Sequence, residues 1–417
     1  MSLAVQEAPT AAPARRLWTW PRVLAAAAVM LVAVAALRAV TGADQVFTSG
    51  TLRTAVAAAV PIGLAGLGGL WSERSGVINI GLEGMMILGT WGAGYGGYLW
   101  GPWGAVGLGV VCGALGGLLH ALATVSFGVD HIVSGVAINI IALGAAQYLA
   151  ALTFTGLPQA GPTQSPPIPN VPVVTIPGLS DAGAWLEQQQ WFALSELGAL
   201  LAAVTRSVSS LTLITIGLFV LTAYLLWRTP FGLRLRSCGE NPVAAESLGL
   251  NVYRYKYAAI TVSGALAGLG GAFLAIVASG IYRDGQTGGR GYIGLASMIF
   301  GNWRPSGVVT GAGLFGYTET LGLRSGPTSV HALLLLLAVA LAALSLWRLR
   351  QRRVVASAVA MALGLLVLWT YLVTDTVPAE FTSLTPYLTT LLVLSLAAQR
   401  LRPPAGIGGR YRRGEAV

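Results

Sequence analysis

The chain has 417 residues, 55% of them hydrophobic and only 10% charged, with 55 glycines and a formal net charge of +10. That charged fraction is too small to clothe a soluble protein of this length, and apolar runs of about 20 residues, long enough to cross a hydrocarbon core of roughly 30 Å, recur along it. A soluble globular protein is excluded. So is a nucleic-acid binder, because the basic residues sit at the ends of apolar runs rather than in a soluble basic domain; Cys112 and Cys238 stand alone, without disulfide, redox or metal spacing.

In chain order, residues 1–22 carry Arg15, Arg16 and Arg22 and lead into an apolar run at 23–37 without a convincing cleavage site. They read as a cytoplasmic segment before a retained first span rather than as a signal peptide. Further spans are predicted at 54–70, broken by Pro61, and at 78–99, 103–127 and 132–154. Residues 156–208 read as an external loop. Its first half holds Pro158, Pro162, Pro166, Pro167, Pro169, Pro172 and Pro177 and cannot be a helix. Its second half, 185–204, is amphipathic, and two readings stand: a helix on the membrane surface, or one on the docking face of an external partner. A span at 209–227 is followed by a polar loop, 228–256. Spans at 257–279, a short 292–300, 308–323 and 330–347 complete a ten-span domain over 23–347. An added hairpin over 348–399, with spans at 354–373 and 384–398, precedes a basic tail, 400–417.

Charge tests this topology. With the N-terminus inside and strict alternation, only Arg38, Arg53, Arg206, Arg283, Arg290 and Arg324 of the 25 Lys and Arg fall outside, as the positive-inside rule requires. Making 292–300 a re-entrant dip would move Arg348–Arg353 outside and spoil that bias. The sequence also repeats weakly: AGLGG occurs at 65–69 and 267–271, and IGLEGMMILG (80–89) resembles IGLASMIFG (293–301). In the expected topology the two copies run in opposite directions, an inverted repeat of the kind transporters use around a central pathway.

The loop 228–256 contains its own short helix. Asn241 is a fair N-cap, Pro242 fits the first helical position and Gly249 is a natural stop. A capped helix on a basic cytoplasmic loop reads as a docking peg. No engine is visible in the chain itself. Lys256 is the only lysine and lies outside any phosphate-cradling loop, and His120, His131 and His331 form no zinc or HExxH pattern. Ionisable residues inside spans are few, chiefly Glu83 and Glu319, and are functional candidates by default. Asn79 and Glu83, four apart, are expected to share a helical face; the bland reading of Glu83 is a carboxylate stabilised in the first turns of a helix. Asn139, Gln147 and Ser263 are uncharged candidates that equally well join helices. The shortage of buried acids argues against an ion- or proton-coupled carrier and for an external energy source; a non-transporting scaffold is the remaining class.

Five stretches together resemble one family: SERSGVINIGLEGMMILG (72–89), VSGVAINIIALG (133–144), GLRLRSCGENPVAAESLGLNV (232–252), ALAGLGGAFL (265–274) and GRGYIGLASMIFGNWRPSG (289–307). They are similar to the membrane permeases of bacterial ABC importers, in the branched-chain amino acid/ribose-type superfamily and, within it, the simple-sugar and purine-nucleoside subfamily. The resemblance covers about 61–323. It implies an all-α, ten-span type II importer fold at the inner membrane, with both termini cytoplasmic. It implies that 228–256 is the coupling loop, with Gly239, Glu240, Asn241, Pro242, Ala244, Ala245 and Gly249 matching the family pattern. The partners implied are a cytoplasmic ABC ATPase that uses the ATP, a periplasmic or lipid-anchored solute-binding protein and a second, different permease; the chain itself needs no cofactor or metal. Pathway candidates are Asn79, Glu83, Asn139, Ser263 and Glu319. A nucleoside or simple sugar is the expected solute, with a branched-chain amino acid as the alternative within the superfamily. Trp91, Tyr95 and Tyr98 suit either of the first two, or an interfacial aromatic belt. The long Pro-rich loop and the C-terminal hairpin depart from the family pattern.

Overall fold

The computed structural model describes residues 20–324, 326–378 and 401–414. It is almost wholly helical. Helix α1 (Trp20–Thr41) is followed by α2 (Ser49–Arg74), whose N-cap Thr48 accepts a hydrogen bond from the Thr51 N–H. Pro61 lies inside α2 and does not break it; transmembrane helices tolerate proline where neighbours and local adjustment re-satisfy the freed carbonyl. The chain then turns at Gly76 (φ +89°) and α3 (Leu82–Ala121) begins three residues after Asn79, so the expected span from 78 starts later than the hydropathy suggests.

Helix α3 is two helices joined by a reversal. Gly101 has φ 74° and ψ −167°, a conformation open to glycine, and Pro102 follows it. The two limbs run back along each other, Gly96 against Gly104 and Gly92 against Cys112. A π-turn (Leu122–Ser126) leads to α4 (His131–Phe154), whose N-cap Asp130 accepts from the Ile132 and Val133 N–H groups. The segment expected as an external loop is only partly irregular. β1 (Val173–Val174) pairs antiparallel with β2 (Val208–Ser209), and between them the expected single amphipathic helix is a hairpin of α5 (Leu179–Gln188) and α6 (Leu194–Thr205). Glu187 accepts from the Ser49 N–H (2.8 Å) and Glu196 pairs with Arg38 (3.2 Å), which fixes the hairpin to the ends of α2 and α1.

After α7 (Ser210–Arg228) the polar loop holds two helices rather than one, α8 (Pro230–Glu240) and α9 (Pro242–Ser247), on the face opposite α5 and α6. Helix α10 (Val252–Phe273) crosses back and is extended by a π-turn to Ser279. The chain next descends as irregular backbone to α11 (Arg290–Phe300), returns through α12 (Pro305–Arg324), and ends its described helices with α13 (Gly326–Arg350) and α14 (Val354–Val373). The last two form a hairpin closed by reciprocal Ser345–Ser357 hydrogen bonds of 2.9–3.0 Å. The expected span at 384–398 and residues 1–19 lie outside the described residues.

Among the described residues, seven helices are long and apolar enough to cross a membrane, with 82–126 counted once. That is fewer than the twelve crossings expected: α1, counted as apolar only over 28–41, and α12 are not among the seven, 384–398 lies outside the described residues, and two further reasons are visible. Gly101 folds two limbs into one count. Helix α11, with 11 residues, is about 16 Å long at 1.5 Å per residue, half the hydrocarbon thickness. The segment 280–304 nonetheless passes from one face to the other: Tyr282 accompanies Ser165 near the α5–α6 face, whereas Trp303 accompanies Arg74 beside α8.

The core is built on α10, which packs between α2 and α3. Gly109, Gly113 and Gly117 of α3 face Gly264 and Gly268 of α10 at four-residue spacing, so the backbones approach closely and dispersion replaces the missing hydrophobic drive between helices in lipid. A Cβ at Gly268 would lie 2.4 Å from the Gly109 carbonyl oxygen. Gly268→Val is therefore expected to cost about 3 kcal/mol by overpacking, read as a lowered thermal unfolding midpoint in detergent. Gly217→Val on α7, where nothing lies within 4 Å, should leave the midpoint unchanged.

Candidate functional site

Two polar constellations stand out, one inside the bundle and one on the α8–α9 face. The inner one is organised by Glu83, the second residue of α3 and 7% exposed. It does not point along its own helix. Its Oε1 accepts the Gly289 N–H (2.9 Å) and its Oε2 the Gly291 N–H (2.7 Å) at the start of α11. Helix α11 has a glycine N-cap with no side chain to offer, so its first N–H groups would otherwise be orphaned in an apolar surrounding. The approach is close: a Cβ at Gly291 would sit 2.6 Å from Glu83 Cα.

The start of α3 has the same deficiency, because its N-cap is Gly81. Asn139 of α4 supplies the acceptor: its Oδ1 takes the Gly84 N–H (2.7 Å), and its Nδ2 donates to the Ile80 carbonyl (3.0 Å) and the Tyr292 hydroxyl (2.9 Å). Asn79 donates to Ser263 Oγ of α10 (2.9 Å), while its buried Oδ1 has no hydrogen-bond partner among the described residues. The turn before α3 is held further by His120, whose Nε2 lies 2.9 Å from the Ile78 carbonyl and whose Nδ1 lies 2.9 Å from Ser134 Oγ. Arg290, the first residue of α11, pairs with Glu319 of α12 and donates to the Gln286 and Thr287 carbonyls. Nearer the α5–α6 face, Gln147 donates to Asp284 (2.9 Å).

On the opposite face, Asn241 caps α9 as expected, its Oδ1 accepting the Ala244 N–H (2.9 Å), and Gly249 ends the turn with φ +82°. Ala245 is buried against Cys238 and Val252, whereas Leu248 is 81% exposed. Burial pushes the Cys238 thiol up to about 11, against the opposing pull of the Lys256 ammonium, so it stays protonated and inert at neutral pH. Glu240 pairs with Arg74 at the end of α2 (3.8 Å). Arg74 also sends two hydrogen bonds to the Trp303 carbonyl (3.1 and 2.7 Å), and Trp303 Nε1 donates to Glu73 (2.6 Å). Arg74 and Arg236 both lie over the Trp227 ring.

The family profile "Branched-chain amino acid transport system / permease component" matches residues 51–344, most of the chain. The chain belongs to this family. Among curated proteins it is 37% identical over 273 residues to the guanosine ABC transporter permease protein NupQ of Bacillus subtilis, across 64% of this chain and 79% of that one. It is 36% identical over 279 residues to the nucleoside ABC transporter permease protein NupC of Lactococcus lactis, across 64% and 80%. It is 32% identical over 293 residues to the putative glucose ABC transporter permease protein TsgC13 of Haloferax volcanii, across 68% and 80%. No solved structure matches it significantly. The permease is thus a multi-pass membrane transport subunit and not an enzyme.

The permease brings together most of the residues singled out from its sequence, though not as the spacing suggested. Asn79 and Glu83 share no helical face, because Asn79 precedes α3 in a turn; one reaches α10, the other α11. Ser263 is Asn79's partner, and Asn139 joins Glu83 through the start of α3. Glu319 is separate, neutralising Arg290. Gly239, Glu240, Asn241, Pro242, Ala244, Ala245 and Gly249 are contiguous at the α8–α9 junction, and Gly239 packs on the Arg74 carbonyl. Sequence reasoning missed the partners: Gly289 and Gly291 under Glu83, Tyr292 on Asn139, Arg290 on Glu319, and Trp303 on Glu73. One signal was available, since Arg290 and Glu319 are opposite charges in apolar surroundings. Glu83→Ala leaves two buried N–H groups unpaired and should cost about 3 kcal/mol in detergent unfolding. Glu83→Gln, which retains one acceptor oxygen, should lose roughly half of that, and both should slow uptake in proteoliposomes.

Proposed function

We propose that this permease is the membrane-spanning subunit of an ATP-driven importer for a nucleoside or simple sugar, with α9 as the peg that docks in a cytoplasmic ABC ATPase. The observation that carries the reading is the geometry of α9. It is a capped single turn and a half, seated by Ala245, with Leu248 left exposed, and Glu240 ties its root to the end of α2. A lone apolar knob on a basic face fits a groove on a partner.

With α9 inside, the chain makes ten core crossings and α14 begins an added hairpin. Both termini are cytoplasmic in the inner membrane, and α5–α6 lies outside, where a periplasmic or lipid-anchored binding protein delivers solute. Helix α11 together with the irregular 280–289 counts as one discontinuous crossing. An inverted repeat is supported by a crossed arrangement. The AGLGG stretch of α2 receives Gly294 of α11, and the AGLGG stretch of α10 receives Gly89 of α3. Each half therefore packs its AGLGG stretch on the helix that carries the other half's IGL motif, and the two helix starts meet at Glu83.

The pathway runs along the flank of α4, where Gln147, Asp284, Tyr292 and Asn139 place polar groups on an otherwise apolar surface that includes Ile140, Ile141 and Leu143. A second, different permease closes the other side. In this pathway Glu83, Asn139 and Glu319 line or gate the route, while Asn79 and Ser263 hold its wall. The solute class rests on the printed functions of the relatives, two of which carry nucleosides and one, putatively, glucose.

Glu240→Lys combined with Ala245→Trp reverses the pairing with Arg74 and overfills a buried site. It should abolish uptake and ATPase association while the protein still inserts; normal transport in that double variant sinks the docking reading. In wild-type proteoliposomes with all partners, guanosine or ribose should compete with the labelled solute, and competition by leucine alone would move the permease to the amino acid branch.

A further inference from the structure

Residues 401–414, a basic stretch in the sequence, are not a solvated tail. They lie as extended chain and turns across the α8–α9 face and reach four separate places. The Arg402 N–H donates to Asn302 Oδ1 (2.8 Å) in the turn between α11 and α12. The Ala405 N–H donates to Glu240 (2.9 Å) and the Gly406 N–H to the Gly239 carbonyl (2.9 Å), at the root of α9. The Gly408 N–H donates to the Gly76 carbonyl (3.1 Å), in the turn between α2 and α3, from a backbone at φ +75°. Tyr411 is 9% exposed, packed with Cys238, Ala245 and Val252, its ring 5.6 Å from Tyr253 and 5.5 Å from Lys256 Nζ. Arg413 pairs with Glu246 of α9 (3.4 Å). Leu401 and Ile407 pack on the main core.

Two features separate a brace from a cover. The segment contacts the flank of α9 through Pro242, Ala245 and Glu246, yet Asn241, Ala244, Ser247 and Leu248 stay exposed. A partner can therefore seat on α9 with the segment in place. One of the two turns it grips leads into α3 and the other follows the end of α11, the helices whose starts share Glu83. Helix α9, with six residues, is too short to hold its own shape unaided; Glu240 and Arg74 tie its root to the α11–α12 turn, and the segment adds backbone anchors on both turns. It also lies beyond residue 344, where the family match ends.

We propose that 401–414 is a transmission strap, which carries movement of α9 to the α2–α3 and α11–α12 turns, with Gly406, Gly408, Tyr411 and Arg413 as positioning residues for transport. This rests on α9 being the ATPase docking element. Small displacements pass through such a strap because backbone hydrogen bonds anchor it at discrete points rather than along a compliant surface.

The test uses the full chain assembled with its ATPase and second permease in proteoliposomes. A side chain at Gly406 would press on the Gly239 carbonyl (2.8 Å) and Pro242 (3.3 Å), so Gly406→Val frees the strap, as does Tyr411→Ala, while Tyr411→Phe retains the ring. Both loosening variants should speed trypsin cleavage after Arg410, whose side chain is exposed but whose backbone must leave the face to enter the protease; they should still bind the ATPase and hydrolyse ATP, and move about tenfold less solute per ATP, a coupling loss of ordinary size. Tyr411→Phe should restore the ratio. An unchanged ratio with the segment demonstrably freed overturns the proposal. So does a rise in transport, which would make the segment a clasp, and so does loss of ATPase binding, which would make it part of the docking surface. If trypsin shows no release, a stop codon after Leu401 removes the segment and the same ratio decides. Ala245→Trp alone is the control: if it keeps both ATPase binding and uptake, the docking reading fails instead.

Discussion

One carboxylate shared between two helix starts organises the permease. A backbone N–H inside a membrane must find its acceptor within the protein, and a helix that begins part-way through the bilayer presents several at once. Helix α11 begins inside the bundle after a glycine N-cap, Gly289, and Glu83 accepts two of its first donors. The same residue stands in the first turn of α3, so both positive helix ends act on one negative charge. The neighbouring polar contacts follow from this arrangement: Asn139 completes the start of α3, and Arg290, carried at the start of α11, finds Glu319.

Small residues make that meeting possible. Helices α3 and α10 approach through facing glycines, and α11 reaches α2 where Gly294 lies on Gly66. Larger side chains would hold these helices apart, and the carboxylate would fall short of the amides it caps. The glycines at these contacts thus act through distance: they set how close the starts of α3 and α11 come to each other.

Much of this was legible in the sequence. The all-helical, multi-span character, the capped helix at Asn241–Gly249 and the family itself could be read from residue patterns, because hydropathy, capping and motif order are local. The segment 280–304 was half seen: the charge bias called for a passage between faces, and the structure makes that passage through irregular chain as well as the eleven residues of α11. The pairing of Asn79 with Glu83 failed because four-residue spacing implies a shared face only inside a helix, and Asn79 precedes one. The reversal at Gly101 falls in the gap between the spans expected at 78–99 and 103–127. The partners of Glu83 were not legible, since two glycine amides leave no chemical trace in a sequence. The segment 401–414 read as an orientation signal because its arginines are conspicuous, whereas its anchors are backbone N–H groups and one tyrosine ring.

The contact at Glu83 has a consequence for amide hydrogen exchange. The irregular stretches 75–81 and 280–289 enter the bundle from opposite faces, and the two meet where Gly291 rests on Glu83. The Gly289 and Gly291 N–H groups are both held by that one carboxylate, so they exchange with solvent only when α11 lifts from the start of α3. Their exchange rate therefore reports how often the two helix starts part.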